Sequence, residues 1–145
     1  MTHSSTNPSG LGLAEVLWHD LDPTDMEHLL AACAGGYNGE TAGHLIEAAS
    51  RNELKFFRAT ASDCRCLLVL KRVVHLSNVK ELLVYAVGGK GLVKHAAALD
   101  EALCKLARRY DCTVIGGRGF SKAWPKFSRL KPTSTYFVME VEPAT

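Results

Sequence analysis

Apolar positions along the chain recur in two rhythms. Leu92, Ala96, Leu99, Leu103, Leu106 and Tyr110 fall at helical spacing, with Lys94, Asp100, Glu101, Lys105, Arg108 and Arg109 mostly elsewhere. That pattern predicts a helix over 92–110 with one apolar face. Before it, Leu82 to Val87 is an unbroken apolar run that reads as a strand, and Gly88-Gly89-Lys90-Gly91 separates the two. Upstream, Asp22 can cap a helix that has Pro23 at its first position and ends at Gly35-Gly36, after about Cys33. Thr41 can cap a second helix carrying Leu45, Ile46 and Ala49. Leu11 to Trp18 reads as a first short strand or turn. Leu54–Ala59, Cys66–Val74 and Val79–Val87 read as strands. Their connections, Ala61-Ser62-Asp63 and Leu76-Ser77-Asn78, are short, which predicts antiparallel neighbours.

The helix over 92–110 leads into another strand, Cys112–Ile115, ended by Gly116-Gly117-Arg118-Gly119. A one-helix connection makes that strand parallel to Val79–Val87 by a crossover. Phe120–Leu130 reads as a short helix or turn disturbed by Pro125, and Thr133–Val141 as a last strand. The fold class is therefore α+β, a three-layer arrangement with helices flanking a mixed central sheet. That sheet is mostly antiparallel with one parallel pair, which splays to open a cleft. Residues 1–10, rich in Ser, Thr, Pro and Gly, read as a loose tail, and 11–145 as one domain.

Composition narrows the function. The 145 residues carry a net charge of +2 with the basic residues dispersed, which gives no electrostatic footprint for nucleic acid. No apolar run approaches the roughly 20 residues that span a bilayer, and Met1 to Gly10 lacks signal-peptide order. Cytoplasmic placement is the expectation. The five cysteines are an odd count, read as reduced thiols. Cys64 and Cys66 share one strand face, but no second Cys/His pair with zinc spacing accompanies them, so no metal is expected.

The glycine stretch carries the chemistry. A glycine turn between strand and helix points backbone N–H groups at one spot, and the helix start adds unsatisfied donors and partial positive charge. That suits a phosphate or pyrophosphate. The alternative is a tight turn that binds nothing. The Rossmann pattern would need a glycine where Lys94 stands, and the ATP-loop pattern would need Ser or Thr where Gly91 stands.

This element order, with glycines after the third long strand, resembles the GNAT N-acetyltransferase family over roughly Asp22 to Glu142, most strongly over Leu82–Arg118. The resemblance implies acetyl-CoA, or another acyl-CoA, as cofactor. Backbone donors from Val87, Gly88, Gly89, Lys90, Gly91 and Leu92 would grip its pyrophosphate. Strands near Tyr85–Val87 and Thr113–Ile115 would part for the pantetheine arm. It implies acyl transfer to an amine, on a small molecule or a protein, by direct attack. The small size, the Thr41–Phe57 segment and the Gly-Arg-Gly-Phe turn resemble the compact GNAT-like proteins of bacteriophages, which would add a host protein as partner. Two positions depart from the family. Ala86 stands where its loop begins with a polar residue, and Phe127 stands where a Tyr supplies a proton. A second reading therefore keeps the fold as a binding module with catalysis weak or lost.

Direct acylation of an amine needs a base, an oxyanion stabiliser and a proton for the departing thiolate. Glu81 and Glu53 are candidate bases, against the alternative of solvated strand-end charges. Tyr85 and Tyr136 are candidate phenol donors, against half-buried rings. His75 and His95 have a suitable intrinsic pKa. Lys90, Lys94 and Arg118 are candidate phosphate partners, against ordinary solvated charge.

Overall fold

A computed structural model describes residues 10–34 and 39–117. The expected short helix over 120–130, the strand over 133–141, the tail, and residues Arg118, Phe127 and Tyr136 lie outside the described residues.

The described strands are β1 (Gly12–Val16), β2 (Lys55–Ala61), β3 (Cys64–Val74), β4 (Lys80–Lys90) and β5 (Val114–Gly117). They form one sheet in chain order. Each of the first four is antiparallel to its neighbour and β5 runs parallel to β4; from β2 onward this is what the connection lengths predict. The crossover from β4 to β5 is a 3-10 turn (Leu92–His95) followed by α3 (Ala96–Arg109).

Both early helices begin where their capping residues predict. α1 spans Pro23–Cys33, with the Asp22 side chain accepting from the Asp25 N–H at 2.8 Å and Asp25 accepting from the Asp22 N–H at 3.0 Å. α2 spans Ala42–Ser50, with Thr41 and His44 capping each other in the same reciprocal way. This satisfies two otherwise orphaned donors at each helix start.

The sheet separates two cores. On one face, Phe57, Ala59, Leu68, Leu70, Leu82 and Val84 meet Leu99 and Leu103 of α3. On the other, Phe56, Leu67, Val69 and Ala86 meet Leu29 of α1 and Leu45 of α2. The alternation of β3 between these cores accounts for its almost continuous apolar sequence: both of its faces are covered.

β4 departs from the sequence expectation in two places. It does not stop at Val87: Gly88, Gly89 and Lys90 continue it, opposite Leu67, Cys66 and Arg65. It also contains a bulge. Val69 faces Ala86 and Leu70 faces Val84, which leaves Tyr85 as the extra residue. Tyr85 and Ala86 consequently both lie toward the α1–α2 core, while Leu82 and Val84 lie toward α3. β5 likewise takes up Gly116 and Gly117, which the sequence reading placed after the strand.

Candidate functional site

The turn from β4 to α3 is built by close approach of backbone. A side chain at Gly88 would drive into α1, with the His28 carbonyl carbon at 2.8 Å and the Ala32 nitrogen at 3.0 Å from its Cβ. Gly89 (φ +124°) lies against Arg65 and Cys66, and Gly91 (φ +88°) against Asp63 and Cys64. Both take left-handed conformations that favour glycine. Packing thus gives each of the three glycines a reason to be there, with or without a ligand.

Gly91 then caps the 3-10 turn Leu92–His95. The hairpin between β2 and β3 braces it: Asp63 accepts from His95 Nε2 at 2.7 Å and lies 3.7 Å from Lys94 Nζ. The His95 hydrogen bond holds the Asp63 carboxyl below its ordinary range. His95 is therefore a brace for the turn. Lys90 and Lys94 remain exposed beside it. A helix opening, two left-handed glycines and two exposed lysines suit a phosphate-bearing ligand.

The β5 residues expected at the cleft, Thr113–Ile115, lie lower along β4 than the Tyr85–Val87 stretch set against them. Val114 and Ile115 pair with Glu81 and Leu82, and the described pairing ends at Val84 with Gly117. The carboxyl-terminal part of β4, from the Tyr85 bulge to Lys90, runs on beyond that last described pair.

Glu81 lies at the opposite end of β4 from the turn, opposite Val73. It lies nine positions before Lys90, about 30 Å along the strand. Its carboxylate is 2.7 Å from His75 Nε2 and lies over Gly116. This pair holds the far end of the sheet, and neither member reaches the turn. Glu53 is engaged by Arg51 at 2.9 Å.

Tyr85 is different. The bulge turns its ring toward the α1–α2 core, and its hydroxyl donates to Glu40 in the segment before α2. Both residues line a cavity of about 700 Å³, together with residues of α2, Lys71 and Arg72. Glu40 was not anticipated from the sequence. Only a strand register that carries Tyr85 to the α2 side could have found it.

The cysteines give no nucleophile at this turn. Cys64 and Cys66 are buried with their sulfurs 3.9 Å apart, and Cys66 Sγ donates to the Lys90 carbonyl at 3.3 Å. Burial, reinforced by Cys64, pushes the Cys66 thiol up to about 12, and backbone hydrogen bonds with Leu92 and Lys90 offset only part of this. A nucleophilic thiol needs the opposite shift. Cys64 and Cys66 are expected to resist alkylation by iodoacetamide at pH 8 in the native protein and to react fully in urea. Peptide mapping of rapid labelling at either residue in the native protein would contradict this. Among the described residues no cluster of His, Cys, Asp and Glu could hold a metal, and no helix is long and apolar enough to cross a membrane.

No protein-family model matches the chain, and no curated protein matches it in sequence. Solved structures do match. A ribosomal-protein-alanine N-acetyltransferase from Brucella melitensis biovar Abortus 2308 superposes with a TM-score of 0.59 at 12% identity, over 89% of this chain and 98% of that one. The chain has the GNAT fold. A Trypanosoma brucei acetyltransferase matches at a TM-score of 0.51 and 15% identity, over 91% of this chain and 99% of its own. An aminoglycoside N-acetyltransferase, AAC(6')-Iy, solved in complex with CoA, matches at 0.50 and 9%, over 94% and 98%. Within this GNAT fold the parallel β4–β5 pair, the bulge and the β4–α3 turn sit on consecutive stretches of one strand and its exit.

Proposed function

We propose that the protein is an acyl-CoA-dependent N-acyltransferase, taking the acyl group of acetyl-CoA to an amine by direct attack. The observation that carries this reading is the end of β4. In a GNAT fold, a strand with an internal bulge runs straight through left-handed glycines into a helix start flanked by Lys90 and Lys94. The N–H groups of the first turn, Leu92–His95, and the two lysines would hold the pyrophosphate. Tyr85 lies five residues upstream of Lys90, about 17 Å along the strand. That span suits the extended arm between a CoA pyrophosphate and its thioester.

Bound there, acetyl-CoA supplies an activated acyl group. The chain's own residues must then accept a proton from the incoming ammonium and return one to the departing thiolate. Glu40 is placed for the first role and the Tyr85 hydroxyl, which donates to it, for the second. No protein nucleophile is required, in keeping with the raised Cys66 thiol.

Titrating the protein with acetyl-CoA and CoA by calorimetry, alongside thermal unfolding, tests the reading. Saturable one-site binding that raises the melting temperature is expected. Lys94→Glu is the informative variant, because its side chain is 71% exposed and the change sets a negative charge at the helix start. It should weaken CoA binding at least about tenfold, the effect of losing a charge-assisted contact and gaining a repulsion. The melting temperature of the unliganded protein should be almost unmoved. An acidic residue at Gly89 would not discriminate, since any side chain there collides with Arg65 and Cys66. If millimolar CoA leaves both heat and melting temperature unchanged, the glycines serve packing alone and the acyltransferase reading fails. The fold would then be read as a protein-binding module.

A further inference from the structure

Building on that reading, we propose that the cavity between α2 and the β3–β4 pair receives the acyl acceptor, and that this acceptor is a small zwitterion bearing a carboxylate as well as its amine. The cavity, at about 700 Å³, is of a size that encloses small molecules. Its wall carries charges of both signs, and most are already committed. Arg51 is held between Glu47 at 2.8 Å and Glu53 at 2.9 Å. His44 is occupied in capping Thr41. Glu40 accepts from Tyr85, which fixes one carboxylate at the bulge.

Lys71 stands apart from these pairs. It lies opposite Leu83 in the β3–β4 register, two residues before Tyr85, and shares its face with Leu67 and Val69. No hydrogen bond or ion pair engages its ammonium group among the described residues. The cavity therefore offers an anchored carboxylate at Glu40 and Tyr85, and an uncommitted cation at Lys71 beside it. A ligand with an amine and a carboxylate satisfies both positions. A diamine would meet the Lys71 charge, and a simple amine would leave that cation unused. The amine end falls against Glu40 and the Tyr85 hydroxyl, where the proton transfers of acylation are needed.

The test uses L-methionine, L-phenylalanine and L-alanine and their primary amides, which keep the amine and remove the negative charge. Binding to the unliganded protein is followed by calorimetry and by NMR shifts of α2 amides. Each free amino acid is expected to bind at least about tenfold more tightly than its amide, the scale of one charge-assisted hydrogen bond. In Lys71→Ala, which alters an exposed side chain, the ratio of acid to amide affinity should fall to within about twofold. With acetyl-CoA added, the same ratio should appear in kcat/KM for thiol release, and again collapse in Lys71→Ala. Equal binding of acid and amide would overturn the proposal, as would a Lys71→Ala variant that keeps the preference. So would shifts confined to residues away from α2. Because the binding arm contains no CoA, its outcome is separable from that of the cofactor titration. Amino-acid binding without CoA binding would sink the acyltransferase reading, and with it the acceptor role, while the cavity's preference for a zwitterion stood; CoA binding without acid preference would sink the present proposal alone.

Discussion

Gly88→Ala is expected to lower stability by about 3 kcal/mol, at the upper end of the overpacking range. The methyl group would enter the backbone of α1, with the His28 carbonyl carbon 2.8 Å and the Ala32 nitrogen 3.0 Å from it. A flexible side chain could swing aside, but these are backbone atoms of a helix fixed at two other points. Leu29 is fully buried in the α1–α2 core, and Asp25, one turn earlier, is held by Arg58 and Arg65. Relief therefore requires the whole helix to lift from β4 and to open the core around Leu29, Leu67 and Val69. A loss of that size should lower the melting temperature by roughly 10 °C in a chain of this length. Gly43→Ala is the control. It lies in the first turn of α2, where a new Cβ meets only the Thr41 hydroxyl at 3.6 Å, an ordinary contact. Its expected effect is neutral to slightly stabilising, because alanine restricts the unfolded chain. Urea unfolding of both variants decides the matter. A Gly88→Ala protein within 1 kcal/mol of the parent would show that α1 does not seat on β4 as described.

The same glycine shows where sequence reading reached and where it stopped. Capping chemistry is local, so Asp22-Pro23 and Thr41 announce helix starts within a few residues of themselves, and the structure places α1 and α2 there. The stripe from Leu92 to Tyr110 likewise announces a helix, though its first turn is 3-10. Short connections announce the antiparallel order of β2, β3 and β4. Gly88 and Gly89 read as a loop because glycine is a poor strand former on its own account. They remain in β4 because α1 and β3 come too close for a side chain, a fact about partners distant in sequence.

The bulge was hidden for a different reason. Leu82 to Val87 is apolar at every position, so a slip in alternation leaves no mark in the pattern. Without the slip, Tyr85 could not be placed against Glu40, nor could the cavity be foreseen. Glu81 looked well placed by its nearness in sequence to the glycines. An extended strand turns that nearness into distance, and the residue belongs to the far end of the sheet. Arg58 and Arg65 did leave a signal, each a charge flanked on both sides by apolar residues in its strand, Phe57 and Ala59 or Cys64 and Cys66. Half-buried charges in such a setting call for partners, and the acidic start of α1 is where they are found.

Asp25→Ala is expected to cost about 3 kcal/mol at pH 7, in the range for removing one partner of a buried ion pair. Asp25 is fully buried, and its carboxylate accepts from Arg58 Nε at 2.9 Å, from Arg58 Nη2, and from Arg65 Nη2 at 3.2 Å. It also accepts from the Asp22 N–H, closing the cap of α1. Truncation therefore opens the cap and leaves two guanidinium groups sharing Asp22, whose nearest contact is to Arg65 at 2.5 Å. Burial alone would raise the Asp25 pKa, but the hydrogen bonds from Arg58, Asp22 and Arg65 prevail and hold it at about 2, below the ordinary 3.8. The folded state thus binds this proton more weakly than the unfolded chain does. The stabilisation is fully present above about pH 4 and is lost as pH falls toward 2, on the order of 2 kcal/mol over that window. Asp25→Ala has already lost it, so its stability should decline less steeply over the same interval. Urea midpoints measured from pH 7 down to pH 2 should show the two curves converging below pH 4. Parallel curves throughout would mean that Asp25 does not carry the acid sensitivity of the fold. A pairwise replacement, Asp25→Leu with Arg58→Met, should recover part of the loss at pH 7. Apolar groups of similar volume then replace the pair instead of leaving one charge unmatched.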